Sequence, residues 1–255
     1  MTVSTIDLIR RHGSVRSYRP DPIPAEMVES IVAAGQRSST SSNLQPCSVI
    51  AVTHEATRAR LAELCGNQAH IRQAPVFLAW CADLARLDQA CRMRGYAQVT
   101  EYVENFLIAA LDVGIAAQTA ALAAEALGLG ICYIGSIRND TQAVIDLLGL
   151  PRLVFPVTGM TLGWPAAEPH IRPRLSTSAV LHWEHDDRAG EVEALREYDR
   201  VMIATGIYDG RQVAVPEQPG EVEDYGWTEH SARRVSQALR TELRSVLEKQ
   251  GFLLK

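Results

Sequence analysis

The sequence predicts an α+β fold, a small sheet wrapped by helices in one domain. Three observations carry this. Strand-like runs are few, and helical stretches separate them. No internal repeat is present and no linker divides the 255 residues. The length suits a single large domain.

The elements follow in order. Ser4 to Arg11 reads as a helix with a capping-box-like start at Ser4 and Asp7, Ile6 and Ile9 facing inward, and a stop at Gly13. Pro24 opens a second helix that Gly35 ends, with Met27, Val28, Ile31 and Val32 on one face. The polar run Ser38 to Asn43 leads into an alternating strand, Cys47 to Thr53. Glu55 to Cys65 is helix-like, and Pro75 to Ala82 is a short apolar strand. Tyr96 to Leu127 is one long helical stretch, apolar on most of its circumference after Val103. A helix of that kind lies deep in a core or between subunits. Ile131 to Ile137 reads as strand, Thr141 to Leu148 as helix, Val154 to Leu162 as strand and Gly190 to Thr205 as helix. Gly206 to Tyr225 mixes Gly, Pro and acidic residues without period, and is expected to be a mobile loop. Thr228 to Lys249 is expected as an amphipathic helix, with Val235, Leu239, Leu243 and Leu247 at spacing four.

Bulk composition excludes several classes. Hydrophobic residues make up 47% and charged residues 22%, as in a globular protein with a core. The net charge of -5 argues against a nucleic-acid binder. The apolar run Phe106 to Ala124 contains Asp112 and is largely alanine. An aspartate at the centre of a spanning helix costs roughly 3 kcal/mol, so no membrane partner is expected. No signal-peptide pattern opens the chain, and the five cysteines are odd in number without a CxxC pair. Free thiols in a reducing compartment, the cytoplasm, are expected.

Common catalytic motifs are missing. No GxGxxG follows a strand, and no Walker A motif or GxSxG elbow occurs. His182 and His185 stand three apart without a further ligand pair, so a metal is not expected. If the chain is an enzyme, a cofactor carries the chemistry.

Three segments read as ligand-binding loops, although each alone reads equally as surface. The first gathers four arginines and a histidine between positions 10 and 19, beside Gly13 and Ser14. Guanidinium forks and hydroxyls on a loop suit a phosphate. The second is SSTSSNLQPCS, Ser38 to Ser48, whose small hydroxyl residues admit a polar ligand. The third is GWPAAEPHIRPRL, Gly163 to Leu175, where Arg172 and Arg174 flank a rigid proline and point the same way.

Taken together, HGSVRSYRPDPIP, RSSTSSNLQPCSVI, GNQAHIRQAPVFLAWCAD, ALGLGICYIGSIRND and TGMTLGWPAAEPHIRPRL resemble the nitroreductase superfamily. The similarity is to its NADPH-dependent, FMN-containing group of oxygen-insensitive nitroreductases and flavin reductases. It runs from about Thr5 to Leu181 and weakly beyond. The resemblance implies a nitroreductase-like α+β fold with an antiparallel-dominated central sheet. It also implies an intertwined homodimer with FMN in a cleft at each end of the interface. The helix Tyr96 to Leu127 then lies at that interface, and a C-terminal segment, about 226–255, embraces the second subunit.

Carried over by residue, His12, Ser14 and Arg16 match the loop that holds the FMN phosphate and ribityl chain. Thr40 matches a hydroxyl position that contacts FMN, and Gln68 and His70 a further flavin-contacting segment. Tyr133, Ile134, Gly135 and Ser136 match the stretch against the isoalloxazine ring, and Arg172 and Arg174 the basic pair at the phosphate end. Arg211, after Tyr208, matches an arginine that selects the NADPH 2′-phosphate. The implied reaction passes hydride from NADPH through flavin N5 to a small-molecule electron acceptor, a nitroaromatic, a quinone or free flavin, by a ping-pong mechanism.

Departures define the rivals. Gly13 stands where the family has arginine, and Ser136 where it has a second glycine. Glu217, Glu221, Glu223 and Asp224 follow Arg211 and are poor company for a phosphate. The alternatives are different chemistry or NADH preference on the same fold, and a flavin-binding sensor or carrier without catalysis.

Overall fold

Eight consecutive buried residues form the strand at the middle of this protein, Val76–Asp83. In the computed structural model, which describes residues 4–215, 218 and 220–255, the elements run α1 (Thr5–Arg10), α2 (Ala25–Gly35), β1 (Cys47–Val52), α3 (Glu55–Leu64), α4 (Ala69–Gln73), β2 (Val76–Asp83), α5 (Ala85–Met93), α6 (Val103–Ala126), β3 (Gly130–Ile134), α7 (Thr141–Leu148), β4 (Val154–Gly163), α8 (Glu191–Ile203), β5 (Gln212–Ala214), β6 (Val222–Asp224), α9 (Trp227–Val235) and α10 (Leu243–Lys249). The expectation was one domain over 1–255. Contacts gather the chain into two compact units, Met1–Ile171 with Arg240–Lys255, and Arg172–Leu239.

The first unit is built on a four-stranded sheet in the order β1-β2-β4-β3, with every pair antiparallel. Strand periodicity divides β2 between two cores. Phe77, Ala79 and Cys81 face one, with Leu61 and Ala62 of α3 and Val144 and Ile145 of α7. Val76, Leu78 and Trp80 face the other, with Val28 and Ile31 of α2 and the alanines of α6. The register shifts between Trp80 and Cys81, where Pro156 in β4 has no N–H to donate.

The chain's end belongs to this unit. Phe252 is buried and meets Phe106 and Phe155 edge to face, at centroid distances of 5.6 and 6.4 Å. The last sixteen residues of the segment expected to embrace a partner are thus anchored in their own chain.

Several local expectations need correction. The Ser4 cap of α1 is present, its oxygen accepting from the Asp7 N–H at 3.1 Å. Ile6 and Ile9, however, are 61% and 49% exposed instead of inward. The long helix begins at Val103, not Tyr96, and α4 and α5 are short helices beyond those the sequence predicts. The strand over 131–137 stops at Ile134 and tightens into a 3₁₀ turn, Gly135–Arg138. The amphipathic helix over 228–249 is two helices, α9 and α10, and Val235 is 82% exposed. Helical spacing persists through that break in the sequence without a continuous face behind it.

The second unit holds α8, α9 and the β5–β6 hairpin. The hairpin lies inside 206–225, expected as an aperiodic loop. Glu217, one of that loop's acidic residues, lies outside the described residues. Asp199 on α8 fastens α9 by accepting from the Thr228 N–H at 2.9 Å and from its hydroxyl.

Candidate functional site

The edge strand β3 organises the site. Val15 donates its N–H to the Ile131 carbonyl at 2.9 Å, laying the loop after α1 along the strand. Gly130 permits this approach, since a Cβ there would lie 2.4 Å from Val15 Cγ2. Buried Tyr18 locks the loop from below, donating to the Val15 carbonyl at 2.8 Å and pairing with Thr161 Oγ1 at 2.8 Å. Gly13 is also spatially required, because a Cβ would meet Pro169 Cβ at 2.8 Å and the His170 carbonyl at 3.1 Å. Its glycine is therefore a packing requirement besides the absence of a donor.

Around this loop several expected residues converge. Ser14 sits against the buried Cys132 thiol on β3. Arg16 is exposed and forms no ion pair among the described residues. Its guanidinium lies close enough to His70 to act on its ring. Burial pushes the His70 imidazole below its ordinary value, and the Arg16 charge adds in the same direction. His70 Nε2 is buried without a hydrogen-bond partner among the described residues. Gln68, just ahead of α4, donates to Ser136 Oγ at 2.6 Å and to the Cys65 carbonyl at 2.8 Å. Ile134, Gly135 and Ser136 continue from β3 into the 3₁₀ turn beside them. Tyr133 donates to Gln118 Oε1 at 3.3 Å, and burial, with Glu125 adding, pushes its phenol up.

Two further expected residues are tied to α6. His12 reaches α6, its Nδ1 2.6 Å from Glu125 Oε1. Thr40 also turns to α6, donating to the buried Asp112 carboxylate, which receives the Ser41 N–H at 3.2 Å as well. Thr40 and Asp112 line a cavity of about 530 Å³ with Ser38, Gln45 and Trp80. Asp112 and Glu125 stand thirteen residues apart on α6, about 20 Å along its axis. Within one chain Thr40 therefore does not join the group around Arg16.

Arg172, Arg174 and Arg211 belong to the second unit. Arg174 donates to the carbonyls of Arg172 and Pro173 at 3.0 and 3.1 Å. Arg211 lies over the Tyr225 ring at 5.7 Å, and Arg233 over the same ring at 5.5 Å. Tyr208 stacks on His230 at 5.7 Å and meets Tyr225 edge-on at 5.2 Å.

Sequence reasoning missed Glu125 as a partner, and used Asp112 only as a charge that disfavours membrane insertion. The available signal was a pair of carboxylates inside an otherwise apolar helix, each needing a partner.

Among the described residues, a guanidinium without an ion pair, a hydroxyl and an orphaned imidazole nitrogen, gathered at the loop after α1, fit a ligand with an anionic group and several hydrogen-bonding atoms. Comparison with known proteins points the same way. The Nitroreductase family matches residues 9–164, and the Nitroreductase family, C-terminal domain, matches residues 172–255. The oxygen-insensitive NADPH nitroreductase of Salmonella typhimurium is 35% identical over 250 residues, covering 97% of this chain and 98% of that protein. An FMN reductase (NAD(P)H) of Bacillus subtilis is 35% identical over 247 residues, covering 94% of each. The solved structure of NfrA2 from B. megaterium superposes with a TM-score of 0.90 at 34% identity, covering 98% of both chains. This chain belongs to the nitroreductase family.

Proposed function

We propose that this protein is an FMN-dependent oxidoreductase that passes hydride from NADPH to nitroaromatic, quinone or free flavin acceptors. The observation that carries the reading is Arg16, a guanidinium without an ion-pair partner among the described residues, close to Ser14 on its own loop and to His70 on α4. Relatives of nearly the same length, 35% identical, carry the names NADPH nitroreductase and FMN reductase. FMN held by these residues would supply hydride transfer from NADPH and two-electron reduction of the acceptor, in a ping-pong sequence.

The chain's own residues bind and orient. Arg16, Ser14 and His12 are assigned to the phosphate and ribityl chain, since Arg presents a planar fork of donors. Gln68 is assigned to the flavin ring and is held by Ser136. Buried His70, whose Nε2 has no hydrogen-bond partner among the described residues, is assigned to the same flavin-contacting segment. The backbone of Tyr133 to Ser136 lines the ring side of the site. Arg172 and Arg174 remain assigned to the phosphate by resemblance alone. Arg211 is assigned to the coenzyme phosphate, with Arg233 on the same tyrosine ring supporting a positive surface there. Glu221, Glu223 and Asp224 are exposed nearby in the hairpin and favour the rival reading, a preference for NADH.

We also assign the protein to a homodimer. Val103, Leu107, Leu111 and Ile115 repeat every four residues on α6 and are 50%, 48%, 56% and 44% exposed. A second copy covering that stripe would remove these side chains from water. Five free thiols support a reducing compartment, the cytoplasm.

The test is anaerobic mixing of FMN-loaded protein with NADPH while the flavin's visible band is recorded. Bleaching faster than with NADH supports the reading. Faster bleaching with NADH moves the assignment to that coenzyme, and a band that persists with either overturns the reductase reading.

A further inference from the structure

Glu125 occupies a costly position. It is the penultimate residue of α6, where the helix macrodipole presents its negative end, and the last turn holds no basic residue. Its side chain is only 12% exposed, and Oε2 is buried without a hydrogen-bond partner among the described residues. Both the dipole and desolvation disfavour a carboxylate there. Among the described residues its carboxylate makes one hydrogen bond, to His12 Nδ1 at 2.6 Å, from a loop 113 positions earlier in the chain. That ring is 25% exposed, with Nδ1 committed to the carboxylate. The nitrogen left for a ligand is Nε2. A carboxylate that holds one imidazole nitrogen fixes the ring's orientation and which nitrogen it offers outward.

We propose that Glu125 is a positioning residue for the flavin's phosphate: it holds His12 by Nδ1 so that Nε2 is the donor offered to the phosphate oxygens. The assignment rests on the FMN reading above. To donate from both nitrogens the ring must carry two protons, and the carboxylate at Nδ1 is the counter-charge for that form. Glu125 touches no ligand itself. It acts through His12, and its influence is confined to the phosphate end.

That confinement makes the proposal testable without turnover. FMN and riboflavin differ only by the phosphate, so the ratio of their affinities isolates the phosphate contacts from the general integrity of the fold. Both are titrated by fluorescence quenching into the apo forms of wild type, Glu125→Gln, His12→Ala and the double variant, with melting curves for each. The expected result is a loss of about tenfold in FMN affinity for Glu125→Gln, the size of one charged hydrogen bond, with riboflavin affinity unchanged. His12→Ala is expected to do the same, and the double variant to lose no more than either single one. A Glu125→Gln protein that loses both ligands equally, or neither, overturns the proposal, as does additivity in the double variant. Should Glu125→Gln fail to melt cooperatively, Glu125→Asp takes its place, because its shorter side chain withdraws the carboxylate from the ring while keeping the charge. Wild type that binds FMN and riboflavin alike would instead overturn the phosphate-clamp reading.

Discussion

The Gln68 side-chain amide donates to Ser136 Oγ over 2.6 Å, joining the residue ahead of α4 to the turn that ends β3. The serine that departs from the family pattern thus works as the anchor of a glutamine. Ser136→Gly is expected to cost about 1 kcal/mol of stability and to weaken FMN binding several-fold. Gln68→Ala should weaken FMN binding at least as much, and combining the two should add little. Urea midpoints and flavin titrations on the three variants check this. Additive losses would show that the bond does not orient Gln68.

Arg16 separates binding from stability. It is exposed and without an ion pair among the described residues, so Arg16→Ala should leave the denaturation midpoint within about 0.5 kcal/mol of wild type. FMN retention through gel filtration should nevertheless fall by about tenfold or more. Unchanged flavin occupancy would remove Arg16 from the clamp.

Leu111 lies at the middle of the exposed apolar stripe on α6 and is 56% exposed. A charge there is tolerated in a monomer and costs several kcal/mol when buried in an interface. Leu111→Glu is expected to sediment near the 28.0 kDa of one chain, against twice that for wild type, and to retain less FMN. A wild-type protein already at the single-chain mass would rule out the second copy.

His70 predicts an acid-side loss of stability. Burial and Arg16 hold its imidazole below the ordinary value, so the unfolded chain takes up this proton first as the pH falls. Stability from this group is complete above the unfolded value of about 6.5 and declines below it. Urea midpoints between about pH 7.5 and pH 5 should fall in wild type and fall less in His70→Asn. Equal slopes would place the acid sensitivity elsewhere.

The legible parts of this protein were those with local causes. The Ser4 cap, the Pro24 start of α2 and the alternating Cys47–Val52 strand each announce themselves within a few residues. The short helices α4 and α5 do not, because their stability comes from packing more than from pattern. The stripe Val235, Leu239, Leu243, Leu247 misled for the opposite reason. Its spacing is helical, but the chain breaks between α9 and α10 and Leu247 alone of the four is buried. Within the proposed site, Ser14 and Arg16 stand in one short stretch of sequence, and Gln68 enters through the family resemblance. Glu125 and Asp112 could not be assigned partners, since His12 and Thr40 lie 113 and 72 positions away.

Those two carboxylates also make α6 a measuring rod. Thirteen residues of helix fix both the distance between the His12 and Thr40 attachments and their angular offset, about 220° around the axis. Inserting or deleting a single residue between Asp112 and Glu125 would swing one attachment by about 100° relative to the other, while altering its height by only about 1.5 Å. The interval between them is therefore rigid in length, and the small size of its buried alanines is fixed as well by their packing in the core. A surface loop can absorb one residue more or fewer, but this stretch of helix cannot without pulling one attachment from its place.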